Sequence, residues 1–285
     1  MRFLEVLVTG SAGFIGVSVT KALRAEGISV VGFDAKEGKD IADAGALRKA
    51  CEGVDGVVHL AAITGVAYSV AHPAETMKAN VEGTRNVLEA ARAAGAKTFV
   101  FASSASVYGD AQGAVFEDTP TNPKSPYAES KLAGEKLVTD YSHRHGMRGV
   151  SLRLFNVYGP RQNAGYGAVI PSFVKAAKEG KNITINGDGK QTRDFVFVED
   201  AAKAFALSLK KGSGVYNIGS GKAASIRTLA EKIISLTGSH SEITFEDARQ
   251  GDVRDSLADI TKARRELGFV PGYTLEQGLK ETVTL

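Results

Sequence analysis

Short, continuous apolar runs alternate along this chain with longer stretches in which apolar residues recur at helical spacing. Residues 4–9, 29–33, 56–61, 98–103 and 149–155 are predicted strands, and 14–25, 44–51, 73–94 and 126–145 predicted helices. Strand alternating with helix predicts a parallel sheet covered on both faces. Strands in such a sheet are apolar throughout rather than at every second residue, as these are. After Tyr158 the rhythm changes. A loop over 160–166, a helix over 168–179 and a strand over 183–185 lead into the turn Asn186-Gly187-Asp188-Gly189. Residues 195–198, 201–209 and 215–218 then read as a return to the first domain. Segments 225–237, 243–245, 260–267 and 275–282 make a small α+β tail. The expected fold class is α/β, a doubly wound parallel sheet with a smaller α+β domain.

Composition narrows the picture only slightly. With 285 residues, 43% hydrophobic and 24% charged, the chain can bury a large core and is neither disordered nor a coiled coil. A net charge of +3 with no basic run argues against nucleic acid as a partner. Cys51 is the single cysteine, which excludes an internal disulfide and a cysteine-built metal site; it reads as a small core residue. Residues 56–74 lack Lys, Arg, Asp and Glu, yet His59, Thr64, Gly65, Ser69, His72 and Pro73 make a strand and loop a better reading than a membrane span. Met1-Arg2 leads straight into an apolar strand, so no signal peptide is expected and the protein is placed in the cytoplasm.

The first chemistry lies in Val8-Thr9-Gly10-Ser11-Ala12-Gly13-Phe14-Ile15-Gly16, between the first strand and the first helix. Gly10 permits a tight turn, Gly13 lets backbone approach a pyrophosphate, and Gly16 lets helix pack on sheet, the Rossmann arrangement. The helix start, Phe14-Ile15, then offers free N–H groups to phosphate. Asp34, at the end of the second strand, can accept both ribose hydroxyls of NAD and repels the 2′-phosphate of NADP. Lys36 and Lys39 lie nearby and pull the other way.

Tyr127-Ala128-Glu129-Ser130-Lys131 opens the long helix at 126, and the i, i+4 spacing puts Tyr127 and Lys131 on one face. A phenol with a pKa near ~10 is a poor base at neutral pH. An adjacent ammonium and an oxidised nicotinamide both favour the phenolate. Ser103-Ser104-Ala105-Ser106-Val107-Tyr108-Gly109 follows the fourth strand at the carboxyl edge of the sheet, where ligands bind in this architecture. A serine there can bridge a substrate oxygen and the tyrosine.

These three motifs in this order resemble the extended short-chain dehydrogenase/reductase superfamily, and closely its nucleotide-sugar 4-epimerases, from Arg2 to about Thr282. The resemblance implies a catalytic triad of Ser104, Tyr127 and Lys131 and NAD as cofactor. It implies that Asp40 and Ile41 flank the adenine, that Leu60, Ala61, Ala62 and Ser103 line the cofactor, and that Asn80 supports the site. Asn156 and Arg193 correspond to groups on the substrate diphosphate, Arg249 to a second diphosphate arginine and Asp252 to an aspartate near the nucleotide ribose. Val169–Phe173 and the stretch from Thr184 to Asn186 correspond to uracil-binding walls, and Ser106 joins the substrate set. Residues 1–157, with 192–219 returning, are then the NAD domain, and 158–191 with 220–285 the nucleotide-sugar domain. Relatives pair the helices corresponding to 73–94 and 126–145 into a homodimer. Two arginines converging on one phosphate make chemical sense, because the guanidinium fork matches its oxygens.

The resembling dehydratases carry Asp-Glu after the serine or threonine, and the decarboxylases a Glu before Val-Tyr-Gly. Here Ala105 and Ser106 stand at those places, which leaves redox-neutral C4 epimerisation. UDP-glucose and UDP-galactose are the expected pair, with the N-acetylated pair admitted because Ser256 is small where some relatives have a bulky aromatic. A UDP-uronic acid or another nucleotide sugar is the rival substrate, and Thr64 stands where some hexose epimerases have a lysine. A non-catalytic NAD-sensing scaffold is disfavoured by the intact triad. The run after Asp34 is shorter than in relatives.

Overall fold

In the computed structural model, residues 4–111, 113–164, 168–248 and 254–284 are described. Six parallel strands form the central sheet: β1 (Glu5–Thr9), β2 (Ser29–Phe33), β3 (Gly56–His59), β4 (Thr98–Ser104), β6 (Arg148–Leu154) and β10 (Gly214–Ile218). Their order is β10-β6-β4-β3-β1-β2. Because β2 and β3 lie on opposite sides of β1, the chain winds both ways from it and leaves a crevice at the carboxyl ends of β1 and β3.

Both faces are covered, as the apolar strands require. Helices α1 (Phe14–Ala25) and α8 (Val198–Lys210) bury Val19, Leu23, Ala202 and Phe205 against Val6, Val8 and Val100. On the other face, α2 (Ala44–Cys51), α5 (Gly83–Ala93) and α6 (Pro126–His145) bury Leu47, Leu88 and Val138 against Leu7, Val57 and Phe99. Cys51 is free and fully buried here, and burial pushes its thiol up to about 11.

The helix expected over 73–94 is not uniform. It starts as α4 (Pro73–Met77), after a short α3 (Val66–Ala71), then passes through a π turn at Lys78–Glu82 before α5. The turn places Asn80 inward, and such single π turns recur at functional sites.

A second, smaller assembly sits beyond the main sheet. Strands β7 (Asn156–Tyr158), β9 (Thr192–Phe197) and β11 (Ala223–Ser225) form one sheet in the order β11-β9-β7, and β8 (Ile183–Asn186) pairs with β12 (Ile243–Glu246). Helices α7 (Val169–Lys178), α9 (Ile226–Thr237) and α10 (Leu275–Thr284) close this core over Phe173, Ile185, Phe195 and Leu229. Of the segments expected to return to the first domain, α8 packs on the main sheet and β10 joins it, while β9 pairs with β7 and β11. An apolar run marks a buried strand without naming its partner. A short β5 (Ala114–Val115) pairs with β13 (Leu257–Ala258) and ties the loop after Ser104 to the end of the chain.

Candidate active site

At the crevice, Gly10 adopts φ +71°, and a Cβ there would lie 2.7 Å from the Ala61 nitrogen. A Cβ on Gly16 would lie 2.0 Å from the Gly10 carbonyl oxygen, so helix α1 meets the turn only because both are glycine. Gly13 caps α1 without a side-chain hydrogen bond, leaving the first-turn N–H groups of Phe14 and Ile15 for an incoming phosphate. Asp34 is buried at the end of β2; its Oδ2 accepts from the Ala12 N–H and its Oδ1 from the Lys36 N–H, both at 2.9 Å. A carboxylate has capacity beyond these two bonds. The ammonium groups of Lys36 and Lys39 are directed to the carbonyls of Ala12 (3.4 Å) and Gly32 (3.0 Å). A backbone cradle that any Cβ would fill, beside a buried acid, fits NAD.

Leu60, Ala61 and Ala62 run off β3 beside this cradle. Leu60 donates its N–H to the Thr9 carbonyl at 3.1 Å. The Asn80 side chain clamps the same run, accepting from Ile63 N–H (2.8 Å) and donating to Ile63 O (3.0 Å) and Ser130 Oγ (2.9 Å). Asp40 is exposed and accepts the Ala42 N–H in its own turn, while Ile41 packs against Gly83.

The residues of the expected triad meet where β4 ends against α6. Ser125 caps that helix by accepting from Ala128 N–H, and Pro126 opens it. Tyr127, Lys131 and Glu135 then fall at i, i+4 and i+8 along one face. Ser104 hydrogen-bonds Tyr127. Ser106 donates its hydroxyl to Ser104 Oγ at 2.9 Å and its N–H at 3.2 Å, so the Ser104 proton is left for the phenol oxygen. Burial raises the Tyr127 pKa and the Ser104 hydrogen bond opposes the rise. Lys131, buried beside it, is pushed down to about 8 by desolvation. Its Nζ donates to the Ala102 carbonyl at 2.9 Å and stands 5.8 Å from the Tyr127 ring centroid.

Glu135 and Arg153 escaped the reading of the motifs. Glu135 accepts from Ser103 Oγ and forms a two-point ion pair with Arg153, at 2.9 and 2.8 Å, with both side chains buried. Burial disfavours the Arg153 charge, but Glu135 outweighs it and holds the guanidinium above its ordinary pKa. The available signal was the continuation of the Tyr127–Lys131 stripe by one more turn.

A cavity of about 310 Å³ opens between β7, β8, β9 and α7. Asn156, Val169, Thr184, Asn186 and Arg193, five residues drawn from four separate segments, all line it. Gln191, which the motifs did not single out, lines it too. Its Nε2 donates to the Asn186 carbonyl at 2.6 Å, and its buried Oε1 has no partner among the described residues. Arg193 donates to the carbonyl of Thr192 at 2.8 Å. Ser256 lies on the strip hydrogen-bonded along β9, through its N–H to Thr192 O at 3.2 Å. Arg249 and Asp252 lie outside the described residues. Among the described residues no cluster of acidic, histidine or cysteine side chains could hold a metal, and no helix is long and apolar enough to cross a membrane.

The crevice, the glycine cradle and the Ser–Tyr–Lys constellation define an NAD-dependent enzyme of the extended short-chain dehydrogenase/reductase type. The NAD-dependent epimerase/dehydratase family model matches residues 6–219. A UDP-glucose 4-epimerase of Mycolicibacterium smegmatis is 37% identical, over 98% of this chain and 97% of its own. A UDP-glucuronate 4-epimerase of Thermodesulfobacterium geofontis is 35% identical, over 97% and 94%. The solved structure of a UDP-N-acetylglucosamine 4-epimerase from Methanobrevibacter ruminantium superposes with a TM-score of 0.94 at 34% identity, covering 100% of this chain and 98% of its own. The chain belongs to the NAD-dependent epimerase/dehydratase family and is an isomerase of the nucleotide-sugar 4-epimerase kind.

Proposed function

We propose that this enzyme interconverts UDP-glucose and UDP-galactose by inverting C4, and accepts the N-acetylated pair as well. One observation carries the reading. Where the resembling dehydratases carry Asp-Glu and the decarboxylases a Glu, this chain has Ala105 and Ser106, and the Ser106 hydroxyl donates to Ser104 Oγ at 2.9 Å.

Tyr127, as phenolate, removes the proton of the sugar 4-hydroxyl, and Ser104 holds that oxygen and the phenol in line. NAD, held in the cradle of Gly10, Gly13, Gly16 and Asp34, would supply the acceptor for the C4 hydride and its source for the return. Tyr127 keeps the proton at its phenol oxygen while the 4-keto sugar turns, then returns it to O4 as the opposite face of C4 is reduced. Lys131 keeps positive charge near the phenolate. Asn156, Arg193, Arg249 and Asp252 grip the nucleotide, with Val169, Thr184 and Asn186 around its base. The grip lies away from C4, so the sugar can turn without losing its anchor. Asp34 binds the adenosine ribose of NAD, and Ser256 leaves room for a C2 N-acetyl group.

A UDP-uronic acid is the second reading, favoured by the 35% identity to a UDP-glucuronate 4-epimerase. Product analysis of purified protein over a panel of nucleotide sugars decides. Turnover of UDP-glucuronate but not UDP-galactose refutes the first reading. We also propose a homodimer paired through the helices over 73–94 and 126–145, the two-fold assembly being the commonest closed form. A monomer mass by light scattering at micromolar concentration refutes it.

A further inference from the structure

His59 ends β3 inside the molecule, 1% exposed, and none of the chemistry above uses it. Its Nδ1 lies 2.6 Å from Thr9 Oγ1 and its Nε2 2.9 Å from Thr84 Oγ1. Thr9 is the residue before Gly10 of the cofactor turn. Thr84 follows the π turn that carries Asn80. The tautomer can be worked out from the hydroxyl protons. Thr84 Oγ1 donates to the Asn80 carbonyl at 2.6 Å, and a carbonyl only accepts. The single Thr84 proton is therefore committed, and His59 Nε2 has to be the donor to Thr84. Nδ1 then carries no proton and accepts from the Thr9 hydroxyl.

The line continues to the base. Asn80 Nδ2 donates to Ser130 Oγ at 2.9 Å, and Ser130 Oγ donates to the carbonyl of Tyr127 at 2.7 Å. Thr9, His59, Thr84, Asn80 and Ser130 are all buried. The imidazole thus joins the element that seats the cofactor to the helix that carries the base, through donors and acceptors that all run one way.

We infer that His59 is a positioning residue of the redox centre, a neutral Nε2–H imidazole that sets the distance between the cofactor turn and Tyr127. The inference rests on Tyr127 being the base. Phe99 and Phe101 flank the ring at 5.8 Å, and Lys131 is the charged group that acts on it. Burial and then Lys131 hold its pKa down, to about 3. A second proton would leave both nitrogens donating, and the Thr9 hydroxyl would have to turn away. A leucine would fill the space but leave the buried Thr9 hydroxyl without its acceptor, so the need met by histidine is one of direction as well as volume.

The test pairs two variants of the holoenzyme with a spectroscopic readout. His59→Leu removes both hydrogen bonds, and His59→Gln can still donate and accept. The expected result for His59→Leu is a kcat lower by about 10- to 100-fold, the size of a misplacement at the reacting centre, with KM for the nucleotide sugar within about twofold. His59→Gln is expected to recover most of that loss. Equal losses in both variants alongside equal falls in Tm, or wild-type kcat in His59→Leu, overturn the inference. Should His59→Leu not fold, Thr84→Val removes the Nε2 acceptor at nearly constant volume and is expected to give the same split, and an unchanged kcat overturns the inference. Nitrogen-15 NMR of labelled histidine, with the signal assigned by its loss in His59→Gln, reads the tautomer without any turnover. An Nδ1 without a proton, unchanged from pH 6 to 8, is expected. An Nδ1–H form or a titration in that range overturns the inference, whatever the activity assay says about Tyr127.

Discussion

Around Tyr127 the side chains of His59, Asn80, Ser130, Lys131 and Glu135 are buried and each has a hydrogen-bond partner. In the cleft, Asn156 and Thr184 are exposed, Asn186 and Arg193 half-buried, and the Gln191 Oε1 is buried without a partner among the described residues. The first region is built on strands and helices of the main sheet, the second on β7, β8, β9 and α7 of the smaller assembly. Fixed geometry suits a step in which a proton and a hydride must leave and return over distances that cannot drift. Open polar walls suit recognition of a ligand whose sugar has to turn. The contrast teaches where change is tolerated: the chemistry is embedded in the core, and substrate choice sits at its margin.

The predictions probe that division. Tyr127→Phe is expected to lower kcat by about 10²–10⁴-fold while leaving NAD bound, because it removes the base alone. A steady-state assay retaining more than about a tenth of wild-type rate contradicts the mechanism. Glu135→Ala strips the partner from buried Arg153 and is expected to destabilise the fold by roughly 3–5 kcal/mol. Urea unfolding that shows less than about 1 kcal/mol means the region is softer than its burial implies. Arg193→Ala is expected to reduce kcat/KM by about tenfold or more, mostly through KM, since the role proposed for it is a charge-assisted grip held before and during the reaction. A loss confined to kcat would move Arg193 from the cleft into the redox centre. Ser256→Tyr is expected to cost activity on the N-acetylated sugar by about tenfold more than on the plain hexose. Equal losses on the two would remove Ser256 from the substrate wall.

The same division decides what could be read from sequence. The glycine turn, Asp34 and the Tyr127–Lys131 pair are local patterns in which the spacing along the chain is itself the geometry. The cleft residues came from resemblance, and β7, β8, β9 and α7 bring five of them to one cavity. What stayed hidden depends on contacts far apart in sequence. His59 and Thr84 are 25 residues apart, and Glu135 and Arg153 are 18 apart. The π turn at Lys78–Glu82 left no trace because one extra residue in a helix barely disturbs its apolar period. The sheet that β9 joins was not legible, because a buried apolar run looks alike in either one.

How the chain threads the two sheets has a mechanical consequence. Strand β6 runs through Phe155 into β7, β9 runs directly into α8 beside α1, and β10 returns to the main sheet before β11 leaves it again. Several strands of backbone therefore cross between the halves, and no single linker joins them as a hinge would. Load placed on one half is carried into the other, and neither half can be excised as a contiguous piece. Unfolding should be a single cooperative event, which calorimetry would contradict by resolving two transitions.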